Sequence, residues 1–132
     1  MKLDRPETRA GAIPEEYEDR FEGSARFQML ESPFEGGPAA YYVHFDAGGR
    51  THPHVHRSGQ ILQIVSGRGI VADEDERHIV GVGDTVVVEP DEWHWHGGLR
   101  DTAMSHLTVQ YTGADLDWDV PARDWAEGYG AD

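Results

Sequence analysis

The chain has 132 residues, an apolar share of 38 % and a formal charge of −14, with 11 basic residues set against 25 acidic ones. That balance argues against a polyanionic nucleic acid as partner, and the lack of any apolar run of about 18 residues argues against a membrane helix. Without cysteine no disulfide can hold the fold, but a chain of this length buries enough surface to fold as one domain. The N-terminal stretch MKLDRPETRAGAIPEEYEDR lacks the apolar core of a secretion signal, so a cytoplasmic location is expected.

Residues 1–23 are charged, carry Pro6, Gly11, Pro14 and Gly23, and show no sustained period, so they read as an arm lying over a single domain of residues 24–132. From Ser24 onward, short apolar runs alternate with Gly, Pro and Asp at intervals of about ten residues, the signature of an all-β sandwich or barrel. The predicted strands run over 26–30, 40–45, 51–56, 60–66, 69–72, 78–82, 85–88, 94–96 and 103–111. Ser66-Gly67-Arg68-Gly69 reads as a tight turn between two strands, and residues 73–77 as a solvated hairpin tip. A short helical segment is expected only at 124–127, where Asp124 can cap it.

Eight histidines are present, and five of them fall in two groups: His52, His54 and His56, then His94 and His96. Residues two apart on a strand project from one face, so each group points one way, and Gln60 continues the parity after a short turn. Three imidazoles and one amide oxygen can thus converge on an interior point, a donor set suited to a divalent first-row metal with positions left open.

The spacing around these histidines resembles the cupin family. Gly48, His54, His56, Gln60 and Gly67 stand at every interval of the first cupin motif, although Gln60 occupies a position usually held by a carboxylate. Gly83 and His94 match the second motif, from which the chain departs at Glu89, Asp91 and Gly98, so a differently shaped turn is expected before His94. The resemblance implies a double-stranded β-helix, the jelly-roll barrel. A narrower similarity, carried by His54 to Gln60, His94 to Gly97 and Thr102 to Gln110 and extending over 17–118, is to small cupins that include manganese-dependent hydroxynitrile lyases. It implies one divalent metal per chain held by His54, His56, Gln60 and His94, manganese foremost and iron, nickel or zinc as alternatives. It also implies a pocket lined by Tyr41, Val43, His96, His106 and Gln110.

An amide at position 60 leaves the full charge on the metal, which strengthens it as a Lewis acid and favours lyase over oxygen chemistry. His96, sharing the parity of His94, and His106, on the inner face of the last strand, are the candidates for proton transfer. Tyr41, Val43 and Gln110 are the candidates for binding a small hydroxylated substrate. The alternatives are an Fe(II) dioxygenase and a metal- or ligand-binding protein without turnover.

The remaining histidines read as peripheral: His44 on the outer face, His78 exposed at a hairpin, His52 at the cavity rim. Trp93, Trp95, Trp118 and Trp125 read as core or interface residues. Outward-facing Ile61, Val65, Leu107 and Val109 point to sheet-on-sheet burial in a homodimer.

Overall fold

The computed structural model describes residues 1–31, 34–111 and 116–129, so the last three residues of the expected 24–132 domain lie outside it. The chain is all-β and forms a nearly closed barrel, with a short 3-10 turn at Trp125–Glu127 where a helical segment was expected. Its strands are β1 (Phe21–Glu22), β2 (Ala25–Met29), β3 (Pro38–Phe45), β4 (Arg50–Thr51), β5 (Val55–His56), β6 (Gln60–Ala72), β7 (Arg77–Gly81), β8 (Thr85–Val88), β9 (Trp95–Gly98), β10 (Met104–Tyr111) and β11 (Leu116–Asp117). Nine of them form one sheet whose main path runs β1-β4-β9-β6-β10-β3-β2, while β11 pairs with β5.

Strand β6 is the spine of the barrel. Its first half pairs with β10 and β8, and its second half with β7 and β9. The expected tight turn at 66–69 is therefore absent: the strand continues through it and bends from one group of partners to the other. Gly67 supplies the bend at φ +70°, beside a register irregularity at Ser105/His106 of β10. The local sequence of a bend and of a turn is the same, and only the long-range pairing separates them.

Inward residues stand in rows across the ladder. Val43, His106 and Ile64 form one row, and Tyr41, Thr108 and Leu62 the next. All six are buried, so polar groups from β10 lie among the apolar groups of β3 and β6. A second core of Ile70, Ala72, Trp93 and Trp95 takes the partly buried Trp125 and Tyr129 of the C-terminal segment.

The N-terminal residues are bonded to the barrel. Gln28 donates to the Arg5 carbonyl and accepts from the Glu7 amide, and Phe27 bridges to Ala12. This cover changes the reading of His44. It does lie between outward neighbours, but it is only 1 % exposed, bonded to Ser105 Oγ at 2.6 Å and to Gln28 Oε1 at 2.8 Å. Among the described residues no helix is long and apolar enough to cross a membrane.

A Cβ on Gly67 would meet the Ala103 carbonyl oxygen in a conformation L residues avoid. Gly67→Ala is expected to destabilise the fold by more than about 2 kcal/mol, read from the urea midpoint. An unchanged midpoint would show that the bend does not depend on glycine.

Candidate metal centre

The two histidine groups meet through backbone hydrogen bonds. His54 and His94 form an isolated antiparallel bridge, with amide-to-carbonyl distances of 3.0 and 3.2 Å. His56 follows on β5, Gln60 opens β6, and His96 lies on β9 opposite Val71. Ligand atoms of His54, His56 and His94 lie within 4.8 Å of one another, all three side chains are buried, and together they could hold a metal ion.

The tautomers of two of these rings are set by the backbone. His54 Nδ1 donates to the His52 carbonyl at 2.8 Å, and His94 Nδ1 to the Glu92 carbonyl at 2.9 Å. Each Nε2 is thereby left as a lone-pair donor, the arrangement that orients histidine ligands in metal sites. Gln60 is oriented in the same manner. Its Nε2 donates to Gln110 Oε1 at 3.1 Å, and Tyr41 Oη donates to the same oxygen at 3.4 Å. Gln60 Oε1 therefore faces His94 Nε2, 3.3 Å away. Two buried electron-pair donors held this close have no proton to share, and a cation between them satisfies both. The donor set of neutral nitrogens and one amide oxygen suits a divalent first-row metal.

Burial keeps these rings neutral. It holds His54 and His96 well below the usual imidazole pKa, His94 at about 4 and His106 at about 3, with neighbouring imidazoles adding to the effect. His96 and His106 are themselves linked, His106 Nε2 to His96 Nδ1 at 3.0 Å and His106 Nδ1 to Thr108 Oγ1 at 3.0 Å. His96 Nε2 is buried without a hydrogen-bond partner.

A cavity of about 270 Å³ opens onto this cluster. Of the residues expected from the sequence, Tyr41, Val43, His54, His56, Gln60, His96 and Gln110 line it. His94 is not among the lining residues, and His106, fully buried and bonded to His96, does not reach the lining either. His52 is half-buried against Trp125 and does not line the cavity, so it is not at the expected rim, whereas His78 is exposed beside Asp73 as expected.

The mouth was not foreseen. Tyr17 from the arm, Phe21, Phe27 and Trp118 form an aromatic wall, with Trp118 4.6 Å from the His54 ring and 5.7 Å from Tyr17. Trp118 is thus a cavity residue and not only a core residue. It reaches the site because β11 pairs with β5, a contact between distant segments that no local pattern announces. The expected change of turn before His94 is also absent in one respect. Asp91 adopts φ +63°, the conformation a glycine would supply, and its carboxylate binds Arg57 at 2.7 Å.

The structure is thus a jelly-roll barrel with a buried histidine cluster that could hold a metal ion. Residues 41–110 match the model of the cupin domain, and the chain belongs to the cupin family. It is 37 % identical over 107 residues to (R)-mandelonitrile lyase of Granulicella tundricola, covering 76 % of this chain and 79 % of that protein. A cupin-like protein of Thermotoga maritima superposes with a TM-score of 0.70 at 31 % identity, over 76 % of this chain and 80 % of its own. A polyketide cyclase from Streptomyces resistomycificus shares the fold, with a TM-score of 0.72 at 15 % identity over 96 % of this chain and 92 % of its own.

Because the buried histidines stay neutral when folded, the unfolded chain takes up protons first as pH falls through 6.5, and stability falls with it. Metal-stripped protein is expected to lose urea resistance steadily from pH 7 to pH 4. A flat midpoint across that range would contradict the neutral, buried state of these rings.

Proposed function

We propose that this cupin is a metal-dependent lyase that cleaves and forms cyanohydrins of small aromatic aldehydes. The observation that carries the reading is the facing pair of His94 Nε2 and Gln60 Oε1, which builds a donor set without a carboxylate. The similarity to a mandelonitrile lyase supports the reaction type, and the aromatic mouth supports an aryl substrate.

His54, His56, His94 and Gln60 would hold one divalent ion, manganese foremost. When bound, that ion supplies Lewis acidity undiminished by a protein carboxylate, which lowers the pKa of a substrate hydroxyl. His96 accepts the hydroxyl proton at Nε2, the buried atom that has no partner of its own. Its depressed basicity matches an acidified hydroxyl. As the proton leaves, the oxygen electron pair forms the carbonyl. The bond to the nitrile carbon breaks with its pair, and the departing cyanide takes that proton from His96 Nε2 as HCN, which restores the neutral imidazole.

The chain from Thr108 through His106 to His96 is self-consistent in both proton directions. With His96 Nδ1 donating to His106 Nε2, and His106 Nδ1 to Thr108 Oγ1, His96 presents a lone pair; with the sense reversed it presents an N–H. His96 can therefore take a proton in cleavage and return one in synthesis, while His106 acts from behind it. Gln110, whose oxygen is taken by Gln60 and Tyr41, has its NH₂ to offer to the nitrile.

We further propose that the partner is a second copy of the chain. Ala40, Val109, Ile61 and Val87 stand side by side across β3, β10, β6 and β8, and the next row is Gln28, Tyr42, Leu107, Gln63 and Thr85. Neither row carries a charge, and Ile61 and Val87 are 43 % and 67 % exposed. On a chain of charge −14 such a face can meet its own copy with least repulsion. Ile61→Arg is expected to shift sedimentation from dimer to monomer. A wild-type monomer at high concentration would contradict the pairing.

The reaction is tested with racemic mandelonitrile and manganese-loaded protein, following benzaldehyde release. His96→Ala is expected to keep one metal per chain and lose about 10²-fold in turnover or more, as for loss of a general acid or base. Gln60→Glu is expected to keep the metal and slow turnover, because the carboxylate restores the charge the native site lacks. Metal loss in His96→Ala, or turnover unchanged in both variants, would contradict the assigned roles.

A further inference from the structure

The carbonyl that orients His54 belongs to a residue outside any ladder. After Thr51 the chain leaves β4, passes His52 and Pro53, and pairs again with another strand segment at the His54 bridge. Proline has no N–H to give, so the His52–Pro53 step takes its direction from other contacts. On the backbone, the His52 amide donates to the Arg20 carbonyl at 2.8 Å. Trp125 adds two contacts: its indole Nε1 donates to the Thr51 carbonyl at 2.8 Å, and its ring packs on the His52 imidazole with centroids 4.4 Å apart.

Trp125 is itself held firmly. The Arg50 guanidinium, almost wholly buried, lies 4.0 Å from the Trp125 ring centroid. It also donates to the Trp125 carbonyl at 2.7 Å and to Glu22 at 2.9 Å. A second arginine on the barrel, Arg77, binds the Gly128 carbonyl at 2.8 Å and the Asp124 carboxylate at 3.1 Å. The segment 124–128 is thus a strap fastened to the barrel at both ends. It lies outside the residues 41–110 that match the cupin model.

We infer that Trp125 is a positioning residue for the metal centre: by holding the Thr51 carbonyl and the His52 ring, it aims the His52 carbonyl that fixes the His54 imidazole. The inference rests on reading His54 as a ligand. His94 is an internal control. Its orienting carbonyl belongs to Glu92, in a turn closed by Glu92 N to Glu89 O at 3.1 Å and Glu89 N to Glu92 Oε1 at 3.0 Å. A role confined to general stability would loosen both histidines, whereas a positioning role loosens His54 alone.

The test compares wild type with Trp125→Phe, which keeps a ring on Arg50 and His52 but loses the indole N–H. Imidazole ¹⁵N spectra of the metal-free proteins are expected to show His54 passing from one tautomer to a mixture while His94 keeps its Nδ1–H. Titration with Mn(II), followed by the electron paramagnetic resonance of the free ion, is expected to show Kd raised about tenfold, the low end for disturbing the hydrogen bonds behind a metal ligand. Unchanged His54 spectra and Kd, or equal loosening of His54 and His94, would overturn the proposal. If the phenylalanine variant does not fold, His52→Ala removes the ring contact while leaving the carbonyl, with the same selective loss at His54 expected. A wild type that binds no Mn(II) would overturn the metal centre, and the metal-free spectra would then decide the positioning role by themselves.

Discussion

The rest of the site depends on two lone pairs that cannot avoid each other. His94 Nε2 and Gln60 Oε1 face one another at 3.3 Å because the opposite end of each group is already committed, Nδ1 to the Glu92 carbonyl and the amide nitrogen to Gln110. In water such a pair would separate and hydrate. Here both residues are buried and sit on elements fixed by β pairing, His94 by its bridge to His54 and Gln60 by its place opposite Val88. An unsatisfied buried acceptor costs roughly 1 to 3 kcal/mol, and a cation bound between the two would remove that cost.

The barrel supplies that rigidity through one strand. Because β6 bends at Gly67 instead of turning back, it reaches both halves of the sheet and ties Gln60 at its start to the ladder opposite His96 near its end. Elements distant in sequence then close the site. The N-terminal arm brings Tyr17 to the mouth, β11 brings Trp118 onto His54, and the Arg50-bound strap brings Trp125 onto His52. The result is a floor of buried neutral imidazoles and amides beneath an aromatic entrance.

What could be read from the sequence was what parity governs. Alternation along strands placed His54, His56, Gln60, His94 and His96 on converging faces, and the structure brings these residues together. Parity also placed His106 inward, but not at what depth: it stands one layer behind His96, which a face assignment cannot distinguish from the lining. Three features were not legible, for a shared reason. The bend at Gly67, the burial of His44 beneath Gln28 and the arm, and the entry of Trp118 into the cavity are each decided by a partner far away in the chain. Asp91 shows the converse, since a departure from the cupin motif left the left-handed turn in place because aspartate tolerates that conformation and gains Arg57.

His54, His56, His94 and Gln60 are proposed to bind one ion together. Crystals grown with manganese, with data collected on both sides of its absorption edge, test it most directly. One anomalous peak per chain is expected within about 2.0 to 2.3 Å of a nitrogen of each imidazole and of Gln60 Oε1. A peak with Gln60 turned away, or no peak among these residues, would contradict it.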